Sequence, residues 1–222
     1  MSKETIKCTD DNIKQIVEEQ IELLGNEADL NHLDVSEVTN MVCLFFSSRP
    51  TSDMSEFNGN ISRWDVSNVT NMTEMFWDSL FNGDISKWDV SGVTNMNGVF
   101  NNSEFNQDIS KWDVSSVENM EYMFFQNGKF NQDVGGWDVS SVKNMEGMFY
   151  ATQFNQDIGG WNVSSVTKIN SMFQWTKNFN QDISSWNISN VTDATTKTTG
   201  KIGSLEFLPY GFPEENKPKF ED

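Results

Sequence analysis

Histidine, cysteine and positive charge are all scarce in this chain. Its 222 residues hold one His, two Cys, and 15 Lys plus Arg against 33 Asp plus Glu, a formal charge of −18 at pH 7. Such an acidic balance repels phosphates, and the basic residues are scattered rather than gathered in a patch, so nucleic acid is not an expected partner. Cys8 and Cys43 are too few for a disulfide scaffold and lack metal-finger spacing, which reads as two reduced thiols. His32 has no Ser or Cys nucleophile motif around it, so no triad is expected. No run reaches the roughly 18 apolar residues of a membrane helix, which argues against membrane insertion. Met1 is followed by "SKETIKCTDD", a stretch without the apolar middle of a secretion signal, so the expectation is a soluble chain, either cytoplasmic as given or already processed. P-loop, dinucleotide and zinc-ligand signatures are missing as well, and neither cofactor nor metal is expected.

What the chain has is repetition. Trp64, Trp88, Trp112, Trp137, Trp161 and Trp186 recur at a step of roughly 24–25 residues, a period typical of stacked-repeat proteins. Around each Trp stand Ile or Val three before, Asp or Asn one after, Val or Ile two after, Ser three after and, in every copy, Val five after. A Phe-Asn pair opens each copy (Phe57, Phe81, Phe105, Phe130, Phe154, Phe179), and a second Phe follows the apolar run in all but the last (Phe76, Phe100, Phe124, Phe149, Phe173). A degraded copy precedes these in "HLDVSEVTNMVCLFF", with Leu33 in the Trp position.

Periodicity divides each copy in two. In "ISRWDVS", Trp64 and Val66 alternate with Asp65 and Ser67, the period of a short strand with one buried face. In "SNVTNMTEMF", Val69, Met72, Met75 and Phe76 are spaced three, three and one, which predicts a short helix or helical turn with Ser67 as its N-cap. Neither element buries its apolar face alone, so the copies must stack into an α/β solenoid, one short parallel strand and one helical segment per repeat. The Asn after each opening Phe (Asn58, Asn82, Asn106, Asn131, Asn155, Asn180) suits an inward ladder bonding turn backbone between coils.

Three segments follow. Residues 1–29 form an N-terminal cap, with an amphipathic helix over Thr9–Gly25 that sets Ile13, Ile16, Val17, Ile21 and Leu24 on one face. Residues 30–192 hold the degenerate copy and the six clear ones. Residues 193–222 form a C-terminal cap and acidic tail, in which Leu205, Phe207, Leu208, Tyr210 and Phe212 are suited to closing the end or to docking another chain.

The motif "FNQDISKWDVSSVENMEYMF" at 105–124 and its neighbours resemble the repeat of BspA-like leucine-rich-repeat surface proteins, the group that includes mycoplasma lipoprotein and Listeria surface-protein repeats. The resemblance covers roughly residues 33 to 192. Ile61, Trp64 and Val66 take the apolar places of the leucine-rich L-x-x-L-x-L core, while Val69 stands where that repeat usually has Asn. The resemblance implies a right-handed coil stack with parallel strands on one side, and adhesion or protein binding at a cell surface.

The candidate binding face is the strand side. Asp65, Asp89, Asp113 and Asp138, continued by Asn162 and Asn187, should form an outward column at roughly 4.8 Å spacing, where like charges repel. Arg63, Lys87 and Lys111, one residue before the Trp, are expected to neutralise it across the turn. Calcium is not expected, because the glycine-rich signatures of calcium-binding β-helices are missing. A second acidic column (Asp84, Asp108, Asp133, Asp157, Asp182) reads as turn chemistry. Every carboxylate pair belongs to a repeated column, whereas an acid–base pair needs two different environments. The expected function is therefore non-enzymatic: a protein-recognition or adhesion module presenting an acidic face. Its rival is a structural spacer, an assembly component that self-associates through the solenoid ends.

Overall fold

The computed structural model describes residues 5–46, 54–192, 208–209 and 211–218. The copies stack in chain order. Isolated parallel bridges join Asp29 to Asn60, Asn40 to Asn71, Asn71 to Asn95, Asn95 to Asn119, Asn119 to Asn144 and Asn144 to Lys168.

Bonding between copies thus falls on a different stretch from the one the Trp-Val alternation predicts. Met72, Glu74, Phe76 and Asp78 donate their amides to the carbonyls of Asn95, Asn97, Val99 and Asn101 in the next copy, at 2.8–3.0 Å. The same four steps recur from Met96, Gly98, Phe100 and Asn102 to Asn119, Glu121, Met123 and Phe125. The amides in between close turns at home, Met75 onto Met72 and Trp77 onto Glu74. This alternation requires left-handed backbone at Glu74 (φ 54°), Asp78 (φ 55°) and their counterparts Gly98, Asn102, Tyr122 and Gln126. The segment expected to be helical is a run of linked turns, and the one α-helix among the described residues lies outside the repeats. Helices and consecutive i to i+3 turns both place apolar side chains three apart, so spacing does not separate them.

The strand expected at Trp64–Val66 is likewise a junction of turns. Trp64 closes one turn onto Ile61 at 3.1 Å, and Val66 opens the next by accepting from Val69 at 2.9 Å. Asp65 sits between the two turns, which produces a period of two without a strand.

The core is a set of ladders running through the stack. Trp64 stacks on Trp88 at 6.4 Å and Trp161 on Trp186 at 6.3 Å. From Trp88 on, each indole Nε1 of the column also donates to the carbonyl three residues before the preceding Trp, as in Trp112 to Ile85 at 3.1 Å and Trp137 to Ile109 at 3.1 Å. The two Phe columns interleave. Phe100, Phe124 and Phe149 follow one another at 5.6 Å, and Phe124 lies 3.7 Å from Phe130, which opens the next copy. Such contacts add about 0.5–1.5 kcal/mol each beyond burial. The Asn ladder bonds between copies, Asn106 to the side chain of Asn82 at 2.9 Å and Asn131 to that of Asn106 at 3.0 Å. It runs along the surface instead of inward, because the flanking Phe occupies the core side.

Both ends imitate a missing copy. At the N-terminus, β1 (Ile6–Lys7) pairs in parallel with β2 (Leu33–Asp34), where Leu33 fills the Trp position, 4% exposed. The helix α1 spans Ile13–Leu24, shorter than the sequence suggests, because the Thr9 amide bonds the Asn12 side chain at 2.7 Å and delays the start. Ile13, Val17 and Ile21 are buried and Ile16 is partly buried, whereas Leu24 is 41% exposed. Asp10 accepts from the Thr39 amide and hydroxyl and the Asn40 amide at 2.6–3.0 Å. In the later copies the Thr70 carbonyl receives the equivalent amides of Thr94 and Asn95. At the far end Phe212 continues the Phe column 5.7 Å from Phe179. Asn216 accepts from the Ile183 amide at 3.1 Å and donates to the Asn180 carbonyl at 2.9 Å. Leu208 is buried, while Leu205, Phe207 and Tyr210 lie outside the described residues.

Candidate functional site

The candidate acidic face is a row of turn acceptors. Asp65, Asp89 and Asp113 each accept from the hydroxyl of the Ser two residues on at 2.6 Å and from its amide at 3.0–3.2 Å. Asp138 accepts the Ser140 amide at 3.0 Å. Asn162 takes the same two bonds from Ser164, at 3.2 and 2.8 Å, and Asn187 takes the Ser189 amide at 3.1 Å. Asp and Asn are the residues that bind backbone two positions ahead. Ser67 therefore serves as a donor to Asp65, where the sequence suggests a helix N-cap.

Two further columns act in the same way. Asp84, Asp108, Asp133, Asp157 and Asp182 accept amides two residues on at 2.9–3.0 Å. Asn71, Asn95, Asn119 and Asn144 each do so at 3.0 Å. The copies of Trp64, Trp88, Trp112 and Trp137 thus turn three corners with an Asx residue at each, whereas Lys168 stands at the third corner of the Trp161 copy.

These bonds also decide the electrostatics. Ser91, Ser115 and Ser140 hold the carboxyls of Asp89, Asp113 and Asp138 below the ordinary carboxylate range. For Asp113 the side-chain and backbone bonds to Ser115 outweigh the opposing push of Asp138 and Asp89. Lys87 and Lys111 act on Asp84 and Asp108 instead, where each adds to the lowering by Ser86 and Ser110. They belong to the upstream corner, a different one from that assigned to them by sequence. Arg63 joins the frame through its amide, bonded to the Asn31 side chain at 2.7 Å.

Stability against acid should depend on these bonds. A carboxyl lowered in the folded chain stabilises it above the unfolded value, near 3.9, and the contribution is lost as pH falls through the folded value. Replacing Asp89, Asp113 and Asp138 together by Asn should leave the fold intact near neutral pH, because Asn162 already serves one such corner. It should also shrink the stability lost between about pH 5 and pH 2. Urea midpoints across that range test it, and an undiminished acid loss would mean these carboxylates do not set it.

His32 bonds the Gln20 side chain at 3.0 Å. Burial, reinforced by Asp34 at Cys8 and by the hydrogen bond to Glu74 at Cys43, raises both thiols to about 11, which leaves little thiolate at neutral pH. Among the described residues no three His, Cys, Asp or Glu side chains gather as a metal site would need.

A different region breaks the repeat. Between the two Phe columns the copies share just a buried polar residue (Ser79, Ser103, Asn127, Thr152, Thr176). The remainder varies from Trp77-Asp78 through Asn101-Asn102, Phe125-Gln126 and Tyr150-Ala151 to Gln174-Trp175. The longer copies carry their extra residue here, within 125–129 and 174–178. Phe125 stacks on Tyr150 at 4.5 Å and meets Tyr122 edge-on at 5.2 Å, and Trp175 is 62% exposed. Residues of three successive copies line a groove of about 490 Å³ in this region, among them Gln126, Tyr150, Gln153, Trp175, Lys177 and Asn178. These residues were not candidates by sequence, although one signal was available: Trp77 and Trp175 stand outside the six-Trp column.

Together the stacked copies and their shared corners define a tandem-repeat protein. The family model described as Mycoplasma protein of unknown function, DUF285, matches residues 11–124, 45–153 and 101–200, and the chain belongs to that family. No curated protein and no solved structure matches it.

Proposed function

We propose that this protein is a non-catalytic recognition module. Its stack is the solenoid of a BspA-like leucine-rich-repeat surface protein, right-handed as that likeness implies. The partner is met by the varied segments between the Phe columns of the Trp112, Trp137 and Trp161 copies, ahead of the acidic columns.

One observation carries the reading. The side chains of the acidic corners bond within the chain, whereas Trp175 holds a large apolar ring 62% exposed with left-handed backbone at φ 63°. Exposure gives up burial, and a bulky residue in that backbone region adds strain of order 1–3 kcal/mol. The fold needs left-handed backbone at this position but not a tryptophan: Asp78, Asn102, Gln126 and Ala151 fill it in the other copies, so a large exposed ring there has no structural reason. Length variation in repeat proteins also concentrates on loops of one face, often the binding face.

Affinity capture from native extract and from host-surface material tests this with the full chain and two variants. Asp65, Asp89, Asp113 and Asp138 all changed to Asn should retain the captured partner, and Trp175→Ala should lose it. The opposite pattern would transfer recognition to the acidic face. Retrieval of nothing but copies of the same chain would favour the spacer role.

A further inference from the structure

We propose that the groove between Tyr150 and Trp175 binds a pyranose-containing glycan, neutral or acidic. The inference rests on the recognition reading above and names the class of ligand.

The lining chemistry carries it. The described lining residues are Gln126, Tyr150, Ala151, Thr152, Gln153, Trp175, Lys177 and Asn178. Carboxylates are missing from that set in a chain with 33 of them. In their place stand three primary amides, each a donor and an acceptor side by side. Adjacent hydroxyls on a sugar ring need such paired donors and acceptors, while the C–H face of the ring needs a flat apolar surface. Tyr and Trp supply that surface and carry a polar edge as well.

Preorganisation points the same way. Phe125 stacks on Tyr150, and the Asn178 amide donates to the Gln153 carbonyl at 2.8 Å. One face of the phenol and one polar pair are thus already held in place. The Ala151 amide bonds the Gln174 carbonyl at 2.9 Å, which ties the copy carrying Tyr150 to the one carrying Trp175. A bound sugar would therefore order few side chains, and ordering is a main cost of binding. The groove volume lies within the roughly 300–1,000 Å³ of small-ligand sites. Lys177 is the one charged residue among the described lining residues, and its charge disfavours a cationic ligand beside it.

A peptide would be the competing occupant. Long peptide recognition draws on an open sheet edge or a continuous apolar groove. Here the Gln126 and Ala151 amides are engaged between copies and the Tyr150 and Thr152 amides within their own, and the lining is polar around two aromatic rings.

The test uses the full chain on an array of defined neutral and acidic glycans, followed by titration calorimetry with the glycans retained. Trp175→Ala and Gln153→Ala are compared with wild type, and Asp113→Asn serves as a surface control. Melting curves are recorded for every variant. The expected result is retention of a related set of glycans, at least about tenfold weaker binding by Trp175→Ala and by Gln153→Ala at unchanged melting temperature, and partial recovery in Trp175→Phe. Equal binding by Trp175→Ala would overturn the site. An array that retains nothing, while affinity capture still recovers a protein that Trp175→Ala loses, would overturn the glycan and leave the recognition reading standing. Loss of both would remove the two together.

Discussion

Trp112→Ala should destabilise the protein by roughly 3–5 kcal/mol, the range for removing a buried Trp. Trp112 is 4% exposed, its ring stands 6.2 Å from that of Phe100, and its Nε1 donates to the Ile85 carbonyl at 3.1 Å. Truncation empties a site in mid-stack and also strips that carbonyl of its donor. Packing and hydrogen bonding can be separated. Trp112→Phe restores most of the ring but not the N–H, and should cost about 1–3 kcal/mol, the penalty of an unsatisfied buried group. Equilibrium urea unfolding measures both. If Phe and Ala were equally harmful, the hydrogen bond would outweigh the packing; if both were silent, the ladder would not be part of the cooperative core.

Removing a whole copy should be gentler than removing half of one. Deletion of Asp89–Trp112, one full period, joins Trp88 to Asp113 and restores every column: Trp to Trp, Phe to Phe, Asx corner to Asx corner. Nearest-neighbour stacking then loses one repeat and one interface, about 1–4 kcal/mol at ordinary stability per residue, and the chain should still fold cooperatively. Deletion of Asp89–Phe100, half a period, sets Trp88 against the wrong corner and turns charged and amide columns inward. That variant should not fold. Circular dichroism and thermal melts distinguish the two. An unfolded full-period deletion would show that the copies are not interchangeable, and a folded half-period deletion would show that register is not set by the ladders.

Much of the core was legible because burial follows composition. The Trp column, the Phe columns and the Val and Met between them are all apolar and all recur, so their alignment could be read without coordinates. The bonding of the Asp corners is hidden from the sequence for a physical reason. An exposed carboxylate on a predicted strand looks free for a partner, whereas on a turn its nearest donors are the amide and hydroxyl of the Ser two residues on. The segment after Ser67 is ambiguous in the same way. Apolar spacing of three fits a helix and equally fits linked turns whose alternate amides reach the next copy, and the left-handed residues that decide between them include Glu74 and Tyr122, which carry no glycine signal.

The groove had the faintest trace. Its walls come from segments a full period apart in three copies, and no local window contains more than one wall. The period, the number of copies, the inward columns and the acidic exterior can all be read from the chain's residue order, because each is a one-dimensional pattern of side-chain polarity. The tertiary structure alone decided which backbone stretch bonds between copies, what the carboxylates hold, and which aromatic rings remain uncovered. Those depend on backbone dihedrals and on neighbours in adjacent copies, and polarity patterns record neither.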